Sequence, residues 1–380
     1  MPRPQPLLIP ITLLMLSCAT SSANRDAIGP QATYYAYVGA ESADLIHRIR
    51  FGPDGASVDK TIPVGELSLE TEGPHALMSS PDGEHLYMTT GHGFPDGKLW
   101  KFHAGPDTLV SAPILLGRFP ATVDLTPDGL YAFVANFNLH GEKVPSTVSV
   151  VYTPDMIEVA QIDTCTQPHG LRVGPRGTHL YTNCIQDDQL VEVDTRTFEV
   201  SRRFSVAVGF EGSIPEEAYR PEDHMRPGQA KNPSCAPTWA EPSPDGSKVY
   251  VACNRGDVIL EIDTRDWVLL RKLPTGRGIY NLDITPDGKM LVGTLKQGAG
   301  VEFFDLESWA SVGIVESSTT ITHGVAITPD SRFAFVSAEG VGAEPGKVDI
   351  YDLRTLERVA EVEVGQQAGG IIFWRMEKTQ

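Results

Sequence analysis

The chain has 380 residues, more than one compact core usually holds, so either several domains or a repeat architecture has to account for it. Lys and Arg number 31 against 49 Asp and Glu, a net charge of −18 that argues against nucleic acid and anionic membrane surfaces as main partners. With 41% apolar residues, 36 Gly and 29 Pro, the composition can bury a core and suits short strands joined by many tight turns.

Residues 1–23 read as an export signal. Arg3 supplies the positive charge, Leu7–Leu16 is an apolar run too short to span a bilayer, and the small residues of 17–23 follow. Two readings of its end are open. Leu16-Ser17-Cys18 resembles the end of a bacterial lipoprotein box, with Met15 where that box has Leu; Cys18 would then be the lipidated first residue. Ordinary cleavage near Ala23 would release a soluble periplasmic product instead. No later apolar run approaches membrane length, so membrane contact is expected only through such an anchor. Residues 24–30 form a short linker.

Three strands follow, at Thr33–Val38, Leu45–Phe51 and Ser57–Val64. A repeat then begins, in which an alternating strand runs into a Pro-Asp-Gly turn: Gly73–Gly83 (GPHALMSSPDG), Phe119–Gly129, Gln167–Gly177, Ala236–Gly246, Gly278–Gly288 and Ile321–Ser331. A seventh copy, Gln367–Trp374, stops after its first strand. Pro fixes φ and Gly accepts positive φ in each turn, and a second, third and fourth strand follow in every full copy. Four antiparallel strands per unit of about 42 to 48 residues make a propeller blade. The fold expected is all-β: one seven-bladed β-propeller over residues 31–376. The three N-terminal strands complete the truncated seventh blade, which closes the ring and hides its sheet edges.

The second strands Tyr250-Val251-Ala252-Cys253-Asn254, Tyr131–Asn136 and Tyr181-Thr182-Asn183 resemble the YVTN family of bacterial propeller repeats. The resemblance covers nearly the whole mature chain. It implies the propeller fold, shared with surface-layer and periplasmic binding proteins, lactonases and haem d1 nitrite reductases. It also extends to nitrous oxide reductase, whose copper cluster is held by channel histidines. It does not choose among these functions.

Blade geometry converts sequence position into location. Three copies open their first strand with His, at His75, His169 and His323; Ala121, Thr238, Tyr280 and Gly369 hold the equivalent positions. All seven are expected at one mouth of the central channel, with His92 and His140 on loops of the same face. Cys165, Cys184, Cys235 and Cys253 fall at that face of blades 3 and 4. An insertion, residues 205–234, stretches the blade 3 to blade 4 interval to about 69 residues and is expected to cap the same face, carrying Glu211, Glu216, Glu217, His224 and Met225.

Imidazole, thiolate and thioether are soft donors, so His75, His169, His323, Cys165, Cys184, His224 and Met225 form a candidate metal set of copper type. The other reading makes the cysteines within-blade disulfides, Cys165–Cys184 and Cys235–Cys253, in an oxidising compartment. Trp239, Arg277, Tyr280 and Asn281 lie near the mouth, where they either contact an anionic or sugar-like ligand or brace neighbouring blades.

The function expected is a periplasmic or envelope-anchored propeller, acting as a monomer, that binds a small molecule or a protein at this face. The alternatives are a metal-dependent oxidoreductase, a lactonase-like hydrolase, or a scaffold for an envelope complex. No phosphate-binding loop, dinucleotide fingerprint, nucleophile elbow or haem-attachment motif is present.

Overall fold

Alternating apolar residues and recurring Pro-Asp-Gly turns produce seven antiparallel sheets of four strands, arranged as the blades of a propeller. The structure, a computed structural model, describes residue 1 and residues 29–67, 69–93, 97–219 and 232–378. The export signal with Cys18, and His224 and Met225 of the insertion, lie outside the described residues. Among the described residues no helix is long and apolar enough to cross a membrane.

The innermost strands of blades 1 to 7 are Pro74–Ser79, Pro120–Leu125, Pro168–Val173, Pro237–Pro242, Ile279–Ile284, Thr322–Ile327 and Ala368–Lys378. Each blade then builds outward in chain order. Blade 7 is the expected composite: Ala368–Lys378 pairs with Ala32–Ala40, with Val38 opposite Ile371, and Leu45–Gly52 and Gly55–Pro63 complete the sheet. Two blades depart from four strands. Blade 1 ends in two short segments, Thr108–Leu109 and Ile114–Leu115, both paired with Lys98–His103. Blade 3 gains a fifth strand, Gly212–Ile214, from the insertion.

The turns explain the repeat signature. In five copies a Ser or Thr precedes Pro-Asp, and its hydroxyl donates to that Asp, as Thr126 does to Asp128 at 2.5 Å and Thr285 to Asp287 at 2.6 Å. The same carboxylate accepts a backbone N–H two residues on, so one side chain satisfies both ends of the turn. Asp194 and Asp263 do similar work in outer turns, each accepting two backbone N–H groups.

Among the described residues the apolar core is divided rather than central. Seven hydrophobic clusters lie between the blades, one at each interface: Tyr87, Leu99 and Val134 join blades 1 and 2, and Phe303, Val336 and Tyr351 join blades 5 and 6. The ring is therefore held by seven similar contacts, and the channel at its axis is lined by polar residues together with apolar ones such as Leu77, Val123 and Ile371.

Both disulfides form, Cys165–Cys184 and Cys235–Cys253. Two disulfides accord with an extracytoplasmic protein. One location differs from expectation. Cys165 lies in the outermost strand of blade 2, Ile157–Thr166, so its bridge ties blade 2 to blade 3. Cys235 precedes the inner strand of blade 4 and is bridged within that blade, to the end of its second strand. Each bridge closes a loop of 18 or 19 residues. For such a loop, the chain-entropy argument gives a loss of about 3 kcal/mol on opening it. Replacing Cys235 and Cys253 together by Ser is expected to lower unfolding free energy by about that amount in urea denaturation.

Candidate functional site

Seven copies of one local arrangement build the mouth of the channel. The residue two positions before the first-ring position takes a left-handed backbone: Gly73, Phe119, Gln167, Ala236, Gly278, Ile321 and Gln367, with φ between 48° and 71°. Its carbonyl accepts the N–H of the residue just past the second strand of the same blade. Lys296 donates to Gly278 at 2.8 Å, Glu339 to Ile321 at 3.0 Å and Glu41 to Gln367 at 2.9 Å. The mouth thus has two concentric rings. The first is His75, Ala121, His169, Thr238, Tyr280, His323 and Gly369. The second is Gly91, Phe137, Ile185, Asn254, Lys296, Glu339 and Glu41.

Between them lies a cavity of about 510 Å³. His75, His169, Thr238, Tyr280 and His323 all line it, together with Glu41, Lys296 and Glu339. The histidines are closer than their blade numbers suggest: the His75 and His323 ring centres are 5.7 Å apart, and Tyr280 lies 4.9 Å from His323. Trp239 sits one layer deeper in the channel, under the Arg172 guanidinium at 4.5 Å. Arg277 is exposed and is not part of the cavity wall.

Each polar group has a defined role. His169 Nδ1–H donates to the Thr238 carbonyl at 2.9 Å, which fixes its tautomer, and Tyr280 O–H donates to Nε2 at 3.0 Å. Gly170 permits that approach, since a Cβ there would lie 2.3 Å from the Thr238 oxygen. Burial, with His75 and Lys296 nearby, lowers the His169 pKa to about 3. Burial and then Lys296 push His323 well below its ordinary value as well. Both imidazoles are therefore neutral. Glu41 accepts from His75 Nδ1 at 3.1 Å and from His92 Nε2 at 2.7 Å. Burial alone would raise its pKa; the two imidazoles outweigh that and hold it ionised. The hydrogen bond to Glu41 raises the pKa of His92, against burial. Lys296 pairs with Glu339 at 2.9 Å and lies 4.4 Å over the Tyr280 ring.

A third polar ring lies three residues further along the inner strands: Asp124, Arg172, Glu241 and Asp283 on blades 2 to 5. Burial raises the pKa of all three carboxyls. Asp124 accepts the N–H of Val173 and Asp283 that of Ile327, so each also sews its blade to a neighbour.

The copper reading does not fit these residues. Cys165 and Cys184 are bonded to each other, and both nitrogens of His169 are engaged. Among the described residues no group of three or more His, Cys, Asp and Glu is arranged to hold a metal ion. The first described part of the insertion, residues 205–219, lies away from the mouth, and residues 220–231 are outside the described residues. It runs along the flank of blade 3, where Tyr219 stacks 3.7 Å from Arg203 and Glu211 pairs with Lys272 of blade 4; near its end, Pro233 reaches the cavity wall. Pairing of Gly212–Ile214 with the edge of blade 3 draws it outward.

Glu41, Lys296 and Glu339 were not singled out by the sequence, although the repeat holds the signal. Each immediately follows a second strand, as His92 nearly does. The third ring had a signal too: polar residues at the same position of four consecutive inner strands.

No family model matches the sequence, and no curated protein does; the YVTN resemblance stands without that support. Solved structures share the fold. A functionally unknown protein from Desulfotomaculum acetoxidans has a TM-score of 0.66 at 16% identity, covering 90% of this chain and 98% of its own. A putative 6-phosphogluconolactonase from Bacteroides fragilis has 0.63 at 16%, with the same coverage. Kuenenia stuttgartiensis hydrazine synthase has 0.60 at 16%, covering 80% and 91%. At this identity the likeness concerns the seven-bladed propeller alone.

His169 makes stability pH-dependent in a defined direction. Its folded pKa of about 3 is below the unfolded value, so its contribution is complete above about pH 6.5 and is lost as pH falls toward 3. His92, with a raised pKa, acts the opposite way, its contribution complete below about pH 6.5 and lost as pH rises. Between pH 7 and 5 His169 should account for a loss of about 2 kcal/mol. Urea denaturation of His169→Gln at both pH values is expected to show that part of the loss removed.

Proposed function

We propose that this protein is an exported, envelope-located propeller that binds a small polar molecule in the mouth of its channel. The observation that carries the reading is the 510 Å³ cavity, on whose wall the Tyr280–His169 and Lys296–Glu339 pairs are already ordered. Rigid, pre-aligned polar groups around an open concavity are what small-molecule recognition needs. The apolar run Leu7–Leu16 and Cys18 support export and anchoring, and two disulfides suit the same compartment.

A hydrolytic reading has one specific support. Glu41 holds His75 by Nδ1, and His75 Nε2 makes no hydrogen bond among the described residues. That is the carboxylate–imidazole arrangement of a general base, with Lys296 on the same cavity wall as a cation for developing negative charge. Lactones would suit it. Proton release from a lactone panel, lost at least about 100-fold in His75→Gln, distinguishes catalysis from binding.

Thermal shift against sugars, sugar acids, lactones and amines tests the binding reading. A ligand is expected whose stabilisation disappears in Tyr280→Phe and Lys296→Met but persists in His179→Ala, on the opposite face. Equal responses in all three variants would place binding elsewhere. Labelled palmitate is expected to enter the protein and to be lost in Cys18→Ala; labelling that persists removes the lipid anchor.

A further inference from the structure

Beneath the histidine ring the channel narrows to a chamber of about 30 Å³, whose roof, formed by His75, His169 and His323, is also the floor of the mouth cavity. Thr122, Asn281 and His323 line it, at 2%, 5% and 7% exposure. In each a polar atom is buried without a hydrogen-bond partner: Thr122 Oγ1, Asn281 Oδ1 and His323 Nδ1. Buried polar atoms are ordinarily paired, and leaving one unpaired costs about 1–3 kcal/mol. Three such atoms, brought to one chamber by blades 2, 5 and 6, mark a place built for a partner.

The hydrogen-bond inventory specifies that partner. Asn281 Oδ1 can only accept. His323 Nε2 faces the Glu339 carboxylate at 3.8 Å, and in the tautomer with its proton on Nε2 the Nδ1 atom is an acceptor. The Thr122 hydroxyl accepts or donates. A hydroxyl group carries one hydrogen and leaves one of the two acceptors unmet. An amino group does not: as –NH₂ it gives two hydrogens and accepts from Thr122, and as –NH₃⁺ it gives three. The volume is that of one such head group.

We propose that this chamber is an amine subsite, receiving the primary amino head of a small ligand whose remainder sits in the channel mouth. The proposal rests on the binding reading above and adds the chemical class. An ordered water of similar size is the rival occupant.

Methylamine and ethanolamine are the probes, with ethylene glycol and tetramethylammonium as controls at matched ionic strength. Titration calorimetry and thermal shift of the full mature chain are expected to show saturable binding of both amines and none of the controls. Thr122→Val and Asn281→Leu should each weaken the amines about tenfold while leaving the ligand-free Tm unchanged or raised, because each removes an unmet polar atom. Amine binding insensitive to both substitutions overturns the subsite. So does a ligand that depends on Tyr280 and Lys296 but carries no amino group, although mouth binding then stands. No response to any amine leaves only the fixed water. If the wider panel also fails, the binding reading falls with the subsite.

Discussion

The ring depends on a backbone conformation that most residues avoid. At the start of every inner strand one residue is left-handed, and only two of the seven, Gly73 and Gly278, are glycine. Phe119, Gln167, Ala236, Ile321 and Gln367 each hold this conformation at a cost of about 1 kcal/mol or more. Ile321 is β-branched, where the cost is greatest. What holds them is the hydrogen bond from the second strand to the left-handed residue's carbonyl. Three aspartates add to it: Asp44, Asp188 and Asp257, each on the preceding blade, accept the N–H of Gly73, Ala236 and Gly278. The kink swings the chain inward, and the next two residues deliver a first-ring side chain to the channel mouth. The same bond fixes the second-ring residue, so both rings follow from one repeated contact.

Apolar packing lies mainly between blades, with Leu77, Val123, Val325 and Ile371 reaching the channel wall. Each interface buries its own cluster, and the seven are nearly equivalent. The polar channel residues can therefore carry chemistry without being needed for the core. They are instead fixed by hydrogen bonds passed from blade to blade. Thr238 Oγ1 donates to the Tyr280 carbonyl, Thr294 to that of His323 and Ser337 to that of Gly369. Each first-ring carbonyl in this run is held by the blade before it, which makes the mouth rigid across four consecutive blades.

The fold was legible because the repeat states it seven times. Pro-Asp-Gly spacing gave the blades, and the unfinished copy at Gln367–Trp374 gave the composite blade. The first ring was legible for the same reason: once the copies are aligned, His75, His169 and His323 share a position. The second ring was encoded equally but in a position without repeated histidine, and Glu41 stands outside the copies, on the N-terminal strands. The course of the described part of the insertion was not legible because length and composition mark a long loop but not its direction; its short strand, Gly212–Ile214, has no alternation from which pairing is read. Likewise Cys165 precedes the blade 3 repeat in sequence yet belongs to the outermost strand of blade 2. Sequence adjacency misassigns residues wherever the outermost strand of one blade runs directly into the inner strand of the next.

The two disulfides mark where the repeated bond receives covalent support. Cys184 and Cys253 are the last residues of their second strands, directly before the second-ring residues Ile185 and Asn254. Their partners, Cys165 and Cys235, lie one or two residues ahead of the left-handed residues Gln167 and Ala236. Each bridge therefore runs beside the same hydrogen bond that every blade uses, Ile185 to Gln167 and Asn254 to Ala236, at 3.1 and 3.3 Å. These blades flank the one interval where the chain leaves the ring, the insertion between Ser205 and Ser234. From blade 2 to 3, and from blades 4 to 7, an outer strand leads within a few residues into the next inner strand, and the short connection itself limits how far the mouth can open. Where the insertion returns to the ring, the bridge at blade 4 pins the arriving chain to the second strand of its own blade. With the start of the blade 4 inner strand fixed, the Thr238 carbonyl is presented to His169 Nδ1 at 2.9 Å.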